Sequence, residues 1–293
     1  MTQMAYGHAD HVVLATSAKF ADALAAGAIA AKLDGVLLLT DPSFLPGSIA
    51  AEIQRLGANT VTIVGGAAAI TVEVEDAVQQ LGVDVRRIGG ANRFSTAAML
   101  SAATFDTDTD TVYIATGLNY PDALAGVPAA ASRGAPILLV SDAVPGAVVA
   151  ELNRLKPTRV YILGGPVAVS DSVVAQVESI TGVTATRLGG ANRYGTALKV
   201  SRDAFGPDVE TVFLVPGNGF LDALIAGPVA HRLGGPLILT AGSLPGGVYG
   251  EIARLKPDRI VIVGSQVSDG VIKDLDGIGP SLATELIGYL PRP

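Results

Sequence analysis

The chain repeats itself. FADALAAGAIAAKLDGVLLLT at 20–40 is answered by YPDALAGVPAAASRGAPILLV at 120–140 and by FLDALIAGPVAHRLGGPLILT at 220–240, a spacing of 100 residues. Other segments recur in step: EIQRL (52–56), ELNRL (151–155) and EIARL (251–255), then VTIVGG (61–66), VYILGG (160–165) and IVIVGS (260–265). RIGGANR (87–93) and RLGGANR (187–193) close the first two copies, while the third ends in the divergent IGYLPR (287–292). A period of this length is too long for a solenoid unit and suits a small domain. The 293 residues therefore read as three similar domains, 1–92, 93–192 and 193–293.

Each copy alternates two kinds of pattern. His11–Thr16, Val36–Thr40, Thr60–Val64 and Val83–Ile88 are short β-branched or Leu-rich runs, as expected of strands covered on both faces in a parallel sheet. Between them lie helical stripes: Ile49, Ile53 and Leu56 in one, Val74, Ala77, Val78 and Leu81 in the next. The resulting βαβα order predicts an α/β fold of three three-layer modules with parallel sheets and right-handed crossovers. Three times four strands does not make an eight-stranded barrel, so three separate sheets are expected, packed with pseudo-threefold symmetry. RFSTAAMLSAATF (93–105) and RYGTALKVSRDAF (193–205) lead into copies two and three, whereas copy one has only MTQMAYGHAD there. One helix is thus expected to be missing.

Composition excludes several functions. Apolar residues make up 49% of the chain and charged residues 16%, so a large core is expected and disorder is not. Cysteine is absent, which removes disulfides, thiolate metal sites and cysteine nucleophiles. The net charge of −7 lacks the footprint of a nucleic-acid binder. Aromatics at 5%, with no Trp, argue against stacked platforms for sugars or bases. The longest uncharged run, Leu233 to Gly250, contains Pro236 and Pro245 and reads as strand plus turn, so no membrane insertion is expected. No signal peptide is visible in MTQMAYGHADH.

The candidate site residues recur with the repeat. Asp22, Asp122 and Asp222 fall near the start of a helix, where a carboxylate stabilises the dipole by about 0.3–1 kcal/mol. The alternative is ligand binding. One acid per copy without a neighbouring His or second acid is a poor acid–base set. Gly65-Gly66 and Gly164-Gly165 read as tight strand-to-helix turns needing positive φ, or as anion-binding loops. Arg55, Arg154 and Arg254 follow Glu52, Glu151 and Glu251 by three, which predicts solvated ion pairs worth about 0.2–0.5 kcal/mol. Arg93 and Arg193, with Arg87 and Arg187, read equally as an anionic-sugar or phosphate site and as inter-domain salt bridges. His8, His11 and His231 do not recur, so no metal site, cofactor or catalytic triad is expected.

Taken together, these motifs resemble the cell wall binding repeat 2 family of Gram-positive surface proteins. The residues that carry the resemblance are the FADALAAG…LLLT segment and its two counterparts, Leu-Pro at 45–46 and 244–245, EIxRL, VxIVGG, and the R-I/L-GGANR-F/Y-x-TA stretch at 87–97 and 187–197. Asn92 and Asn192 stand where the family often has Asp. The resemblance implies three modules about a pseudo-threefold axis. It also implies an extracellular, non-catalytic anchor that holds a surface protein to the wall through an anionic polysaccharide or peptidoglycan, as a monomer that is an internal pseudo-trimer. It places binding near Leu37, Leu38 and Leu39, Ile137, Leu138 and Leu139, and Leu237, Ile238 and Leu239, although strand leucines of this kind are also core residues. An acidic chain repels an anionic polymer at long range, but screening within about 8 Å leaves local contacts to decide. Three weak sites acting together would gain about 10² or more in avidity. Two rival classes remain at this level: an α/β nucleotide or sugar-phosphate binder or enzyme, and a surface-layer piece that tiles laterally.

Overall fold

The computed structural model describes residues 1–20, 22–264, 271, 274–275 and 283–287. The first unit runs α1 (Thr2–Ala5), β1 (His11–Thr16), α2 (Ala26–Lys32), β2 (Val36–Thr40), α3 (Gly47–Leu56), β3 (Thr60–Val64), α4 (Val72–Gln79) and β4 (Asp84–Ile88). The second repeats this as α5 (Arg93–Thr104), β5 (Thr111–Thr116), α6 (Pro121–Ser132), β6 (Ile137–Val140), α7 (Gly146–Leu155), β7 (Arg159–Leu163), α8 (Asp171–Thr181) and β8 (Thr186–Leu188). The third contains α9 (Arg193–Ala204), β9 (Thr211–Pro216), α10 (Phe220–Arg232), β10 (Leu237–Thr240), α11 (Val248–Leu255), β11 (Arg259–Val263) and β12 (Ala283–Ile287).

The described residues form three four-stranded sheets, ordered β2-β1-β3-β4, β6-β5-β7-β8 and β10-β9-β11-β12. Every pairing is parallel, beginning with Val12 opposite Val36 and His11 opposite Thr60. The inner strands are buried over most of their length, and all six residues of β5, TVYIAT, are buried. That is the demand of a parallel sheet with helices on both faces. On α3, Ile53 and Leu56 point into the core, and Gly57 ends the helix at φ 64°. No described helix is long and apolar enough to cross a membrane.

The sheets surround a bundle of three central helices. α2, α6 and α10 pack on one another, and each also carries the first helix of the next unit: α5 lies on α2, α9 on α6 and α1 on α10. The contact at the far end of each central helix follows the same cycle. Lys32 lies 5.7 Å above the Phe105 ring, Arg133 pairs with Asp203 at 2.7 Å, and Arg232 lies 5.1 Å above Tyr6 while pairing with Asp34. The third unit therefore closes back on the first.

The helix expected to be missing from the first unit is present as its last turn. α1 has only four residues. Even so, Thr2 Oγ1 donates to Glu52 at 2.6 Å and the Tyr6 carbonyl accepts from Arg55 at 3.1 Å. Ser101 and Ser201, with the Phe105 and Phe205 carbonyls, make these same contacts in the other units. This also corrects the reading of the Glu–Arg pairs as solvated. Glu151 and Glu251 are buried, and each Arg–Glu fork clamps the end of a leading helix onto the second helix after it, α5 onto α7 and α9 onto α11.

Candidate functional site

In a β2-β1-β3-β4 sheet the chain moves to one side after β1 and to the other before β3. A crevice opens at the carboxyl ends of these two strands, the usual ligand position in open α/β sheets. In the first unit this crevice is a cleft of about 260 Å³ lined by Asp22, Gly66, Ala69, Gly90, Asn92 and Arg93.

Its floor is glycine for two reasons. Gly65, Gly164 and Gly264, the residues just after β3, β7 and β11, have φ of 100°, 107° and 126°, which L side chains rarely adopt. The aspartate of each repeat also lies against this backbone. A Cβ on Gly65 would stand 3.1 Å from Asp22 Oδ2, one on Gly164 2.7 Å from Asp122 Oδ2, and one on Gly264 3.2 Å from Asp222 Oδ2. The three aspartates thus occupy equivalent, half-buried places. Oδ1 of Asp122 is enclosed without a hydrogen-bond partner. Burial pushes the Asp122 carboxyl up from its ordinary value, against a Thr196 hydrogen bond and the Arg193 charge; burial also raises Asp222.

GGANR forms the outer wall. The Gly89 and Gly189 backbones lie directly on Gly65 and Gly164, whose amides donate to Ile88 and Leu188 at 2.8 and 3.0 Å. Asn92 caps α5 by accepting from the amides of Phe94 and Ser95, and Asn192 caps α9 by accepting from Gly195. Thr96 and Thr196 accept from Gly90 and Gly190 at 3.0 and 3.2 Å. Arg87 and Arg187 face inward. Arg87 donates to the Gly65 and Ile70 carbonyls and pairs with Glu75, and Arg187 repeats this with Gly164, Val169 and Asp171. They brace the glycine turn.

Arg93 and Arg193 behave differently. Each donates within the unit that it opens, to the Gly117 carbonyl at 2.6 Å and to the Gly217 carbonyl at 2.5 Å. Each also lies over an aromatic ring of its own cleft's unit, Arg93 at 5.7 Å from Phe20 and Arg193 at 6.0 Å from Tyr120. Neither has a carboxylate within salt-bridge distance among the described residues, whereas the half-buried Arg87, Arg133, Arg154, Arg187 and Arg254 all do. The reading of these arginines as inter-domain salt bridges is not met among the described residues: the link to the preceding unit runs through an aromatic ring instead.

Phe20, Tyr120 and Phe220 meet on the pseudo-threefold axis, with ring centroids 5.4 to 6.1 Å apart. The sequence reading missed this trio, although its 100-residue spacing was visible. The leucine strands lie elsewhere. Leu37, Leu38, Ile137, Leu138, Leu139, Leu237, Ile238 and Leu239 are all buried, and Leu39 is half-buried. No cluster of three His, Asp or Glu side chains that would hold a metal occurs among the described residues.

Three parallel α/β units, the first joined to the second and the second to the third by an arginine laid on an aromatic ring, define a repeat-built module. The sequence matches the Cell wall binding domain 2 (CWB2) family at residues 2–75, 87–174 and 187–272, and the chain belongs to that family. It is a cell-wall-binding module. Over its whole length it is 27% identical to the N-acetylmuramoyl-L-alanine amidase LytC of Bacillus subtilis, covering 55% of that protein. It is 30% identical to the Amidase enhancer of the same organism across 75% of this chain and 30% of the relative. The chain thus spans about half or less of the curated relatives it matches. Cwp8 from Clostridium difficile superposes with a TM-score of 0.86 at 27% identity, over 95% of this chain and 49% of Cwp8. Cwp6 from the same organism has the same TM-score at 23% identity, over 94% of this chain and 45% of Cwp6, a likeness of fold. The family and these relatives place the chain at the cell wall or surface.

Proposed function

We propose that the chain is a non-catalytic, extracellular anchor that holds a surface protein to the wall by non-covalent binding to an anionic wall polysaccharide. The observation that carries this reading is the pair Arg93 and Arg193: half-buried guanidiniums with no carboxylate at salt-bridge distance among the described residues, at the mouths of the first two crevices. A guanidinium in that position has donors left for a sugar carboxylate or phosphate. Asp22, Asp122 and Asp222 supply acceptors for sugar hydroxyls. We assign the leucine strands 37–39, 137–139 and 237–239 an indirect part, as the packed wall that holds each cleft open. Divided at 92/93 and 192/193, the chain works as an internal pseudo-trimer and a monomer. The amidase activity in the name of one relative then belongs to a part of that protein outside this match.

The test is co-sedimentation with isolated wall sacculi, native and stripped of secondary polymers. The expected result is pelleting with native walls only, with R93Q and R193Q each reducing it. Equal pelleting with stripped walls would move the ligand to peptidoglycan. Absence of pelleting from a folded protein would overturn the anchor reading.

A further inference from the structure

The three leading helices cover different lengths of one repeated surface. α5 and α9 have twelve residues each, and α1 has four. Shared contacts fix the register between them. Thr2, Ser101 and Ser201 donate to the glutamates, and the Tyr6, Phe105 and Phe205 carbonyls accept from the arginines. α1 therefore matches the last four residues of α5, Met1 stands at the place of Leu100, and nothing in α1 matches Arg93–Met99.

The surface that those further turns would cover differs between the units. α5 lies on β6 and α7, and α9 lies on β10 and α11. Beneath them Leu139 and Leu239, Val148 and Val248, and Glu151 and Glu251 are all buried. In the first unit the counterparts Leu39 and Ile49 are half-buried, and the Glu52 side chain is 13% exposed against 4% and 0% for Glu151 and Glu251. The leucine and the glutamate are the same residue in all three units, so cover and not composition makes the difference. Leu39 on β2 and Ile49 and Glu52 on α3 thus line a groove ahead of α1, and α10, on which α1 already packs, stands beside it.

The sister units show what fits there. The inward residues of the covering turns are Thr96, Ala97, Ala98 and Leu100 in α5, and Thr196, Ala197, Leu198 and Val200 in α9. Small side chains let the helix lie close, and the branched one fills the space above the strand. Met99 and Lys199 face outward. A separate peptide of two turns is too short to hold a helix, whereas residues joined to α1 extend a helix already nucleated. α1 also has no side-chain cap at its start, where Asn92 and Asn192 cap α5 and α9.

We propose that the groove lined by Leu39, Ile49 and Glu52 is a docking site for a helical segment joined directly ahead of Met1, of the length of Arg93–Met99 and with a Thr-Ala pair facing inward. Wall binding plays no part in this, so the proposal stands apart from the anchor reading.

The test places a copy of Ala91–Met99 (ANRFSTAAM) directly ahead of Met1 in the full chain, so that Met1 follows it as Leu100 does. Relative to the parent, the melting temperature should rise by about 3–6 °C, and amide hydrogen exchange in α1 should slow by about tenfold or more. Within the copied stretch Ala97→Asp, on the inward face, should abolish both effects. Met99→Asp, on the outward face, should leave them. An extended chain no more stable than the parent, or a gain that survives Ala97→Asp, would overturn the proposal. So would a parent that is dimeric and becomes monomeric on extension, which would give the groove to a second copy.

Discussion

Ser101 Oγ donates to Glu151 Oε1 at 2.5 Å across 50 residues of sequence, inside a fully buried contact. The carboxylate also takes Nε and Nη2 of Arg154, and Arg154 holds the Phe105 carbonyl where α5 ends. One carboxylate thus organises a hydroxyl, a guanidinium and a helix end. Removing it leaves a half-buried cation and a buried hydroxyl unmatched. Glu151→Ala should cost about 3 kcal/mol, within the range for breaking a buried pair, and Ser101→Ala nearer 1 kcal/mol. Urea unfolding of the two variants checks the ratio. Equal, small losses would mean that the clamp is redundant.

The same junction ends differently in the three units. Gly57 occupies the left-handed position after α3 at φ 64°, whereas Lys156 and Lys256 hold it after α7 and α11 at φ 50° and 47°. A side chain there costs about 1–2 kcal/mol, offset in part by the greater unfolded-state freedom of glycine. Lys156→Gly should therefore stabilise the chain by about 0.5–1 kcal/mol, read as a higher urea midpoint at unchanged slope. A loss of stability would show that the lysine makes a compensating contact.

Much of this arrangement was legible in the sequence, because it depends on patterns within one repeat. His11–Thr16, Val36–Thr40 and Thr60–Val64 are strands with the bounds read from their β-branched runs. Val83 lies just outside β4, on an edge strand whose exposed alternation makes its end a weaker signal. Contacts between elements distant in sequence were not legible. Spacing alone assigns Arg154 to Glu151 three residues away, but it does not reveal that Ser101 buries the pair. Nor does it reveal that α1 needs only one turn to supply Thr2 and Tyr6. Arg93 likewise has two meanings in the sequence, because its partners, Gly117 and Phe20, lie in two different units.

The axis itself accommodates one branched side chain. Gly27, Val127 and Gly227 are equivalent in the repeat. A Cβ on Gly27 would come within 2.9 Å of Val127, and one on Gly227 within 2.8 Å. Three valines would overfill this point, and three glycines would leave a void. Gly227→Val should cost about 1–3 kcal/mol by overpacking. In the double variant Val127→Gly with Gly227→Val, which returns the volume to the axis, part of that loss should be recovered. A double variant as unstable as the sum of the singles would show that the helices do not share one space.

Asp122 connects stability to binding, and the sign can be worked out. Its carboxyl is raised from the ordinary value chiefly by burial, and its Oδ1 has no partner. A carboxyl whose folded value lies above its unfolded value binds its proton more tightly in the folded chain. Its contribution favours folding below the unfolded value of 3.8 and is lost as pH rises through the folded one. At neutral pH the ionised group therefore works against folding. Asp122→Asn removes that burden, so its melting temperature should exceed the parent's at pH 7, with the gap narrowing or closing below about pH 4. Its wall binding should fall at pH 7, where the parent's carboxylate accepts from sugar hydroxyls more strongly than an amide oxygen does, and the difference should narrow below about pH 4 as the parent's carboxyl is protonated. Higher stability with weaker binding is the signature of a charge held in place for a ligand. A variant that is less stable at pH 7 and binds normally would instead make Asp122 a structural partner of Thr196.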